Sequence, residues 1–166
     1  MTVTVRPITA DDAASFHACL DVVAREERFL ALLEAPSLER MQKFVADNIS
    51  NRVPQVVAIH DSRVVGWCDI MPGWHDTLKH CGSLGMGLLA QYRGQRIGEA
   101  LFSACLTLAT AVGITRVELE VREDNLPARA LYRRLGFVAE GVKRHGMRVR
   151  GHYIDTVAMG LLLDPA

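Results

Sequence analysis

The stretch that most restricts the fold is Leu88-Leu89-Ala90-Gln91-Tyr92-Arg93-Gly94-Gln95-Arg96-Ile97-Gly98. It reads as a strand, a glycine-containing turn and a helix start in immediate succession. The helix is expected to run to about Val112, with Leu101, Cys105, Leu108 and Val112 on its apolar face and Gly113 ending it. A helix N-terminus leaves its first backbone N–H groups without partners and carries positive dipole, so such a turn suits an anion, phosphate above all. Glycine lets the backbone approach that ligand closely. The spacing is neither that of a Walker A loop nor the G-x-G-x-x-G of a dinucleotide fingerprint. A tight strand-to-helix connection with no ligand is the plain alternative.

The rest of the chain reads as one α/β domain with a mixed sheet over residues 1–166. Thr2 to Arg6 alternates as a short strand. Asp11-Asp12 opens a helix to about Arg28, its acids suiting the helix dipole. Ser37 can N-cap a second helix with Leu38, Met41, Val45 and Ile49 on one face. Val53–His60 and Val64–Met71 read as strands joined by a hairpin at Asp61-Ser62-Arg63, and 74–81 as a polar loop before a strand at Ser83–Leu89. Thr115 to Val121 alternates as V-E-L-E-V, a strand. Pro127 suits the first turn of a helix that Gly136 follows, and 138–163 reads as two strands turning near Arg150-Gly151.

Composition excludes several functions. With 19 Lys plus Arg against 19 Asp plus Glu, the formal net charge is zero, which argues against nucleic-acid partners. No apolar run approaches the ~20 residues that span a bilayer, and no secretory leader is visible, so no membrane role and a cytoplasmic location are expected. Cys19, Cys68, Cys81 and Cys105 show no metal or redox spacing, so no metal is expected. The zero also hides a division. Residues 1–80 carry 11 acids and 8 bases, and residues 81–166 carry 8 acids and 11 bases. Arginine dominates the cations, and its fork suits carboxylate and phosphate. An imbalance of three charges per half is small, and composition leaves open whether the second half, with Arg93, Arg96, Arg129, Arg133 and Arg134, holds an anion.

A second pattern follows the first by about thirty residues: N-x-x-A-x-x-L-Y-x-x-x-G-F, from Asn125 through Ala128, Leu131, Tyr132, Gly136 and Phe137. Asn125 can cap the helix it precedes. Tyr132 adjoins the apolar stripe of Ala128, Leu131 and Leu135, and its phenol can donate or accept a hydrogen bond. Taken singly, Asn125 reads first as a plain cap and Tyr132 as a half-buried packing residue.

Together the two patterns resemble the GNAT superfamily of N-acetyltransferases, and the tail, Arg144-His145-Gly146-Met147-Arg148, then Gly151-His152-Tyr153-Ile154-Asp155 and Met159-Gly160-Leu161-Leu162-Leu163, resembles that of bacterial relatives acetylating amino acids, small amines or protein N-termini. Arg93 to Gly98 matches its pyrophosphate loop, Q/R-x-x-G-x-G/A, and 125–137 its later Asn, Leu-Tyr, Gly-Phe segment. One departure is Arg96, where the family usually has Gly. The resemblance covers about residues 2–163. It implies a single GNAT-type domain, α/β (α+β), with a mixed, mostly antiparallel seven-stranded sheet splayed at an acetyl-CoA cleft and about four flanking helices. It implies acetyl-CoA as co-substrate and a small-molecule or peptide amine as acceptor, with transfer direct rather than through an acyl-enzyme. The pantetheine arm is expected to pair with Leu88, Leu89 and Ala90. The pyrophosphate is expected on the N–H groups of Gly94, Gln95, Arg96, Ile97, Gly98 and Glu99, neutralised by Arg93 and bordered by Asn125. Leu88 N–H is the expected oxyanion contact and Tyr132 the acid that protonates the departing thiolate. His80 is the expected base, with Asp69 and His75 as alternatives. Glu26, Glu27 and Glu34 are possible attractors of a cationic amine. An acidic cleft floor would favour polyamines, and an arginine near the cleft would favour amino acids. A non-catalytic acyl-CoA-binding module, a different acyl donor and a homodimer are the remaining alternatives.

Overall fold

The computed structural model describes residues 2–163, so the expected domain limits at Met1 and Ala166 lie outside the described residues. The elements are β1 (Thr4–Pro7), α1 (Ala13–Arg25), α2 (Leu38–Ser50), β2 (Gln55–His60), β3 (Arg63–Pro72), β4 (Cys81–Leu88), α3 (Ile97–Ala111), β5 (Arg116–Arg122), α4 (Leu126–Arg134), β6 (Val138–Val149) and β7 (His152–Leu162). They build one seven-stranded sheet in the order β1-β2-β3-β4-β5-β7-β6. Every adjacent pair is antiparallel except β4 and β5. This is the mixed sheet with four helices that the sequence implies.

The parallel pair positions everything that follows. Two parallel strands need a crossover connection, and α3 supplies it. β4 and β5 pair only at Cys81↔Arg116, Gly82↔Val117 and Ser83↔Glu118. Beyond those pairs β4 runs on to Leu88 and β5 to Arg122 with no strand between them, leaving a split.

Each face of the sheet is covered. On one side α3 packs Leu101, Phe102 and Cys105 against Cys68, Ile70, Val117 and Met159, with Ala128 and Tyr132 of α4 partly buried against the same cluster. On the other, α1 and α2 pack Phe16, Val23 and Val45 against Val57 and Trp67. Burying a side chain such as Leu101 or Phe16 contributes about 1.5–3 kcal/mol, so each helix is held by its apolar stripe more than by propensity.

Several boundaries differ from the sequence reading for identifiable reasons. Asp12 is buried and accepts from the Arg6 guanidinium (2.7 and 2.9 Å) and the Thr9 N–H (2.8 Å), so the chain enters α1 through one 3-10 turn. α1 stops at Arg25 rather than Arg28, because Glu27 adopts a left-handed φ of 54°. Ser37 does cap α2, accepting from Arg40 N at 3.4 Å. Its buried face is Met41, Val45 and Asn48, whereas Leu38 and Ile49 are exposed. Asn48 is satisfied there by donating to Gln55 Oε1 at 3.0 Å. Likewise Ala109 takes the buried place expected of Val112 on α3. Both strand turns use left-handed residues, Asp61-Ser62 and Arg150-Gly151, as two-residue hairpins demand.

Candidate active site

The split exposes a strand edge whose hydrogen-bonding phase can be read directly. Gly73 N–H donates to Cys81 O (3.0 Å) and Leu89 N–H to Val65 O (2.9 Å). Backbone groups alternate sides along a strand, so the odd residues of β4 face β3 and the even ones face β5. Leu84, Met86 and Leu88 therefore turn their N–H groups into the split. Of the expected strip Leu88 to Ala90, Leu88 alone has its N–H toward the split: the Leu89 N–H is bonded to β3, and Ala90 begins a 3-10 turn. Met86 was missed, and counting back by two from Leu88 would have found it.

Next along the chain, Gly94 (φ 74°) and Arg96 (φ 61°) turn the backbone into α3. Arg96 is the N-cap, with no side-chain cap bond, and the first helical bond runs from Ala100 N–H to Arg96 O at 3.2 Å. The N–H groups of Ile97, Gly98 and Glu99 thus have no helical acceptor. They border a cavity of about 590 Å³ that is also lined by Met86, Leu88, Asn125 and Tyr132. At Gly98 an added Cβ would stand 3.4 Å from the end of the Leu131 side chain, so α4 lies in van der Waals reach of the loop. Gln95 turns its side chain back to Gln91 O (2.9 Å).

Arg93 departs from expectation. Its Nε donates to Leu88 O (2.9 Å), its two terminal nitrogens hold Glu26 (2.9 and 2.6 Å), and its guanidinium lies 4.6 Å from the Phe29 ring centroid. These contacts use its fork, so Arg93 ties the end of α1 to the end of β4 and is not free for phosphate. Arg134 bonds Glu99 (3.2 Å) and Arg129 bonds Glu123 O (2.8 Å). Arg96 is exposed and carries no ion pair among the described residues. It is the loop's own available cation.

Asn125 caps α4 by accepting from Ala128 N (3.2 Å) while bordering the same cavity. Tyr132 lies about two helical turns further on, its ring edge-on to Phe137 at 5.7 Å. Burial raises its pKa above that of an ordinary phenol, and the Cys68 thiol adds to the shift, so it stays protonated. Cys68 is the register partner of Met86, which puts the phenol near that point of β4.

A second cavity, of about 450 Å³, opens on the α1–α2 face and meets the first at Met86. Asp69 of β3 lines it. The residue is 9% exposed, and burial lifts its carboxyl to about 7. It stands over Gly85, where an added Cβ would be 2.8 Å from Oδ1, so only glycine leaves the carboxyl its place. Across the β2–β3 register is Gln55, whose buried Nε2 has no partner.

His80 is not brought to this point. It is exposed beside Cys81, at the closed end of the split, where its carbonyl accepts from Thr115 and Arg116. At ~3.3 Å per residue it is about 20 Å along the strand from Met86. His75 is exposed on the same distant loop. The acids expected to attract an amine are all paired: Glu26 with Arg93, Glu27 with Arg150, and Glu34 with Arg25 (3.4 Å). Glu120, missed in the sequence, lines the first cavity and is held ionised by Lys143 (2.5 Å) and Thr156 (2.5 Å).

Comparison with known proteins bears on the family and the fold. Residues 20–137 match the family described as "Acetyltransferase (GNAT) family". The L-amino acid N-acetyltransferase AaaT of Escherichia coli is 26% identical over 89% of this chain and 92% of its own length. A putative ribosomal protein bS18-alanine N-acetyltransferase of Bacillus subtilis is 31% identical, over only 51% of this chain and 54% of that protein. Among solved structures, a GNAT superfamily phosphinothricin acetyltransferase from Sinorhizobium meliloti, in complex with AcCoA, superposes with a TM-score of 0.88 at 24% identity, covering 98% of this chain and 89% of that one. No described helix is long and apolar enough to cross a membrane.

Proposed function

The chain belongs to the acetyltransferase (GNAT) family, and on that premise we propose that it transfers acetyl from acetyl-CoA to the primary amine of a small molecule. The observation that carries the reading is the meeting of three features at Met86: unpaired strand N–H groups, a protonated phenol and a buried, unpartnered carboxyl. Acetyl-CoA fits the first cavity in chemistry. Its pyrophosphate would take the free N–H groups of Ile97, Gly98 and Glu99, with Arg96 adding charge. Its pantetheine amide would pair with Leu88 in the manner of an added strand.

The chain's own groups then divide the work. Met86 N–H, rather than Leu88 N–H, holds the thioester oxygen, because Met86 is where the two cavities join. A preorganised donor there stabilises the negative charge that develops on attack. Asp69 replaces His80 as the base. It takes one proton from the ammonium and releases it to solvent, leaving the nitrogen lone pair free to form the C–N bond. As the C–S bond breaks, Tyr132 gives its proton to sulfur and recovers one from the new amide nitrogen. One proton is released for each amine acetylated.

The test is thiol-detected CoA release with acetyl-CoA and a panel of amines. Amine-dependent release with an N-acetylated product supports the proposal. Acetyl-CoA binding with no release on any amine overturns it, in favour of a binding module.

A further inference from the structure

The second cavity is uneven in a way that selects an acceptor. Its wall is apolar, built by Phe16, Leu20, Leu30, Phe44 and Trp67. Its lining holds two charged residues, Asp69 and Arg40. Arg40 is on α2, exposed, and its guanidinium makes no ion pair or hydrogen bond among the described residues. Glu26, Glu27 and Glu34 are taken up in ion pairs, as described above, and Glu39 is not part of the lining.

Each observation removes a class of amine. A polyamine or a diamino acid would bring a second cation to a cavity whose one acid is needed for the first, and it would meet Arg40. A small polar amine would leave the apolar wall wet and gain nothing from it. A volume of about 450 Å³ admits a benzyl or branched alkyl group with room for the amine and one further polar group. A free guanidinium fork matches that further group best when it is a carboxylate.

Resting on the acetyl-transfer reading, we propose that the acceptor is a free amino acid with a large apolar side chain. Its amine lies at Asp69, its carboxylate on Arg40 and its side chain among Phe16, Leu20, Phe44 and Trp67. A peptide N-terminus lacks the carboxylate at this position and is disfavoured.

The experiment compares kcat/KM for L-phenylalanine, L-leucine and L-methionine with L-alanine, L-lysine, spermidine, 2-phenylethylamine and L-phenylalaninamide. The large apolar amino acids should exceed each of the others by about tenfold or more. Arg40→Gln should shrink the preference for phenylalanine over 2-phenylethylamine by about tenfold. Spermidine, lysine or phenylalaninamide equalling phenylalanine would overturn the proposal while leaving acetyl transfer intact. A second readout needs no turnover. The chain has two tryptophans, and Trp74 is 93% exposed on a distant loop. In Trp74→Phe protein the emission is therefore that of Trp67, and saturable phenylalanine binding should shift it. Such binding with no acetylation would retain the ligand class and overturn the transfer reading. A Trp67 emission that saturating phenylalanine does not move would overturn the ligand class.

Discussion

Replacing Asp69 with asparagine should make the protein more stable and much less active, and pH separates the two effects. The carboxyl titrates at about 7 in the folded protein, against 3.8 ordinarily, because burial disfavours its charged form. Between those values the folded state holds a proton that the unfolded chain has released. Stability therefore falls as pH rises through that window. About three pKa units at 1.36 kcal/mol each set a ceiling of about 4 kcal/mol, fully lost above about pH 7. The Asp69→Asn variant has no charge to bury there. At pH 9 it should exceed the native protein by roughly 2–4 kcal/mol, on the order of 10 °C in Tm for a chain of this size. At pH 4 the two should melt nearly together. Over the same range the native kcat/KM should rise and level off above about pH 7, whereas the variant should lose that limb and about 10²–10⁴ in rate. Calorimetric melting at pH 4 and pH 9, with CoA release across the range, measures both. A variant no more stable at pH 9, or one that keeps the limb, would refute the reasoning.

Tyr132→Phe should lower kcat by about 10²–10⁴ while acetyl-CoA affinity by calorimetry changes less than about twofold, since the lost hydroxyl acts on the leaving sulfur. Arg96→Gly should raise stability by about 0.5–1 kcal/mol by relieving the left-handed φ of 61°. The same change should weaken acetyl-CoA binding about two- to fivefold at low salt and by nothing measurable at about 1 M. Arg93→Met, by contrast, should cost about 1 kcal/mol of stability through loss of the half-buried Glu26 pair, with acetyl-CoA affinity largely kept. A large affinity loss there would return Arg93 to the phosphate.

The parts of the site that depend on local backbone chemistry were legible in the sequence. A strand running into Gly94 and an uncapped helix start carries its meaning in the chain itself, as does Asn125 three residues before the Ala128 N–H it accepts from. The parts that depend on non-local pairing were not. Which β4 residues open to the split follows from the phase of Leu89 against Val65 on another strand. Arg93 looks like a phosphate ligand until Glu26, 67 residues away, closes on it. His80 is a residue type suited to a base, yet the fold leaves it exposed about 20 Å along the strand from Met86. Asp69 stood among the alternatives in the sequence, and what no local pattern reports is the burial that raises its carboxyl pKa.

The most direct measurement is a crystal structure with acetyl-CoA bound. The account predicts the thioester oxygen about 3 Å from Met86 N, the sulfur facing the Tyr132 hydroxyl and the pyrophosphate on the N–H groups of Ile97 to Glu99. A thioester lying away from β4, or a pyrophosphate held by Arg93 with the Glu26 pair broken, would contradict it.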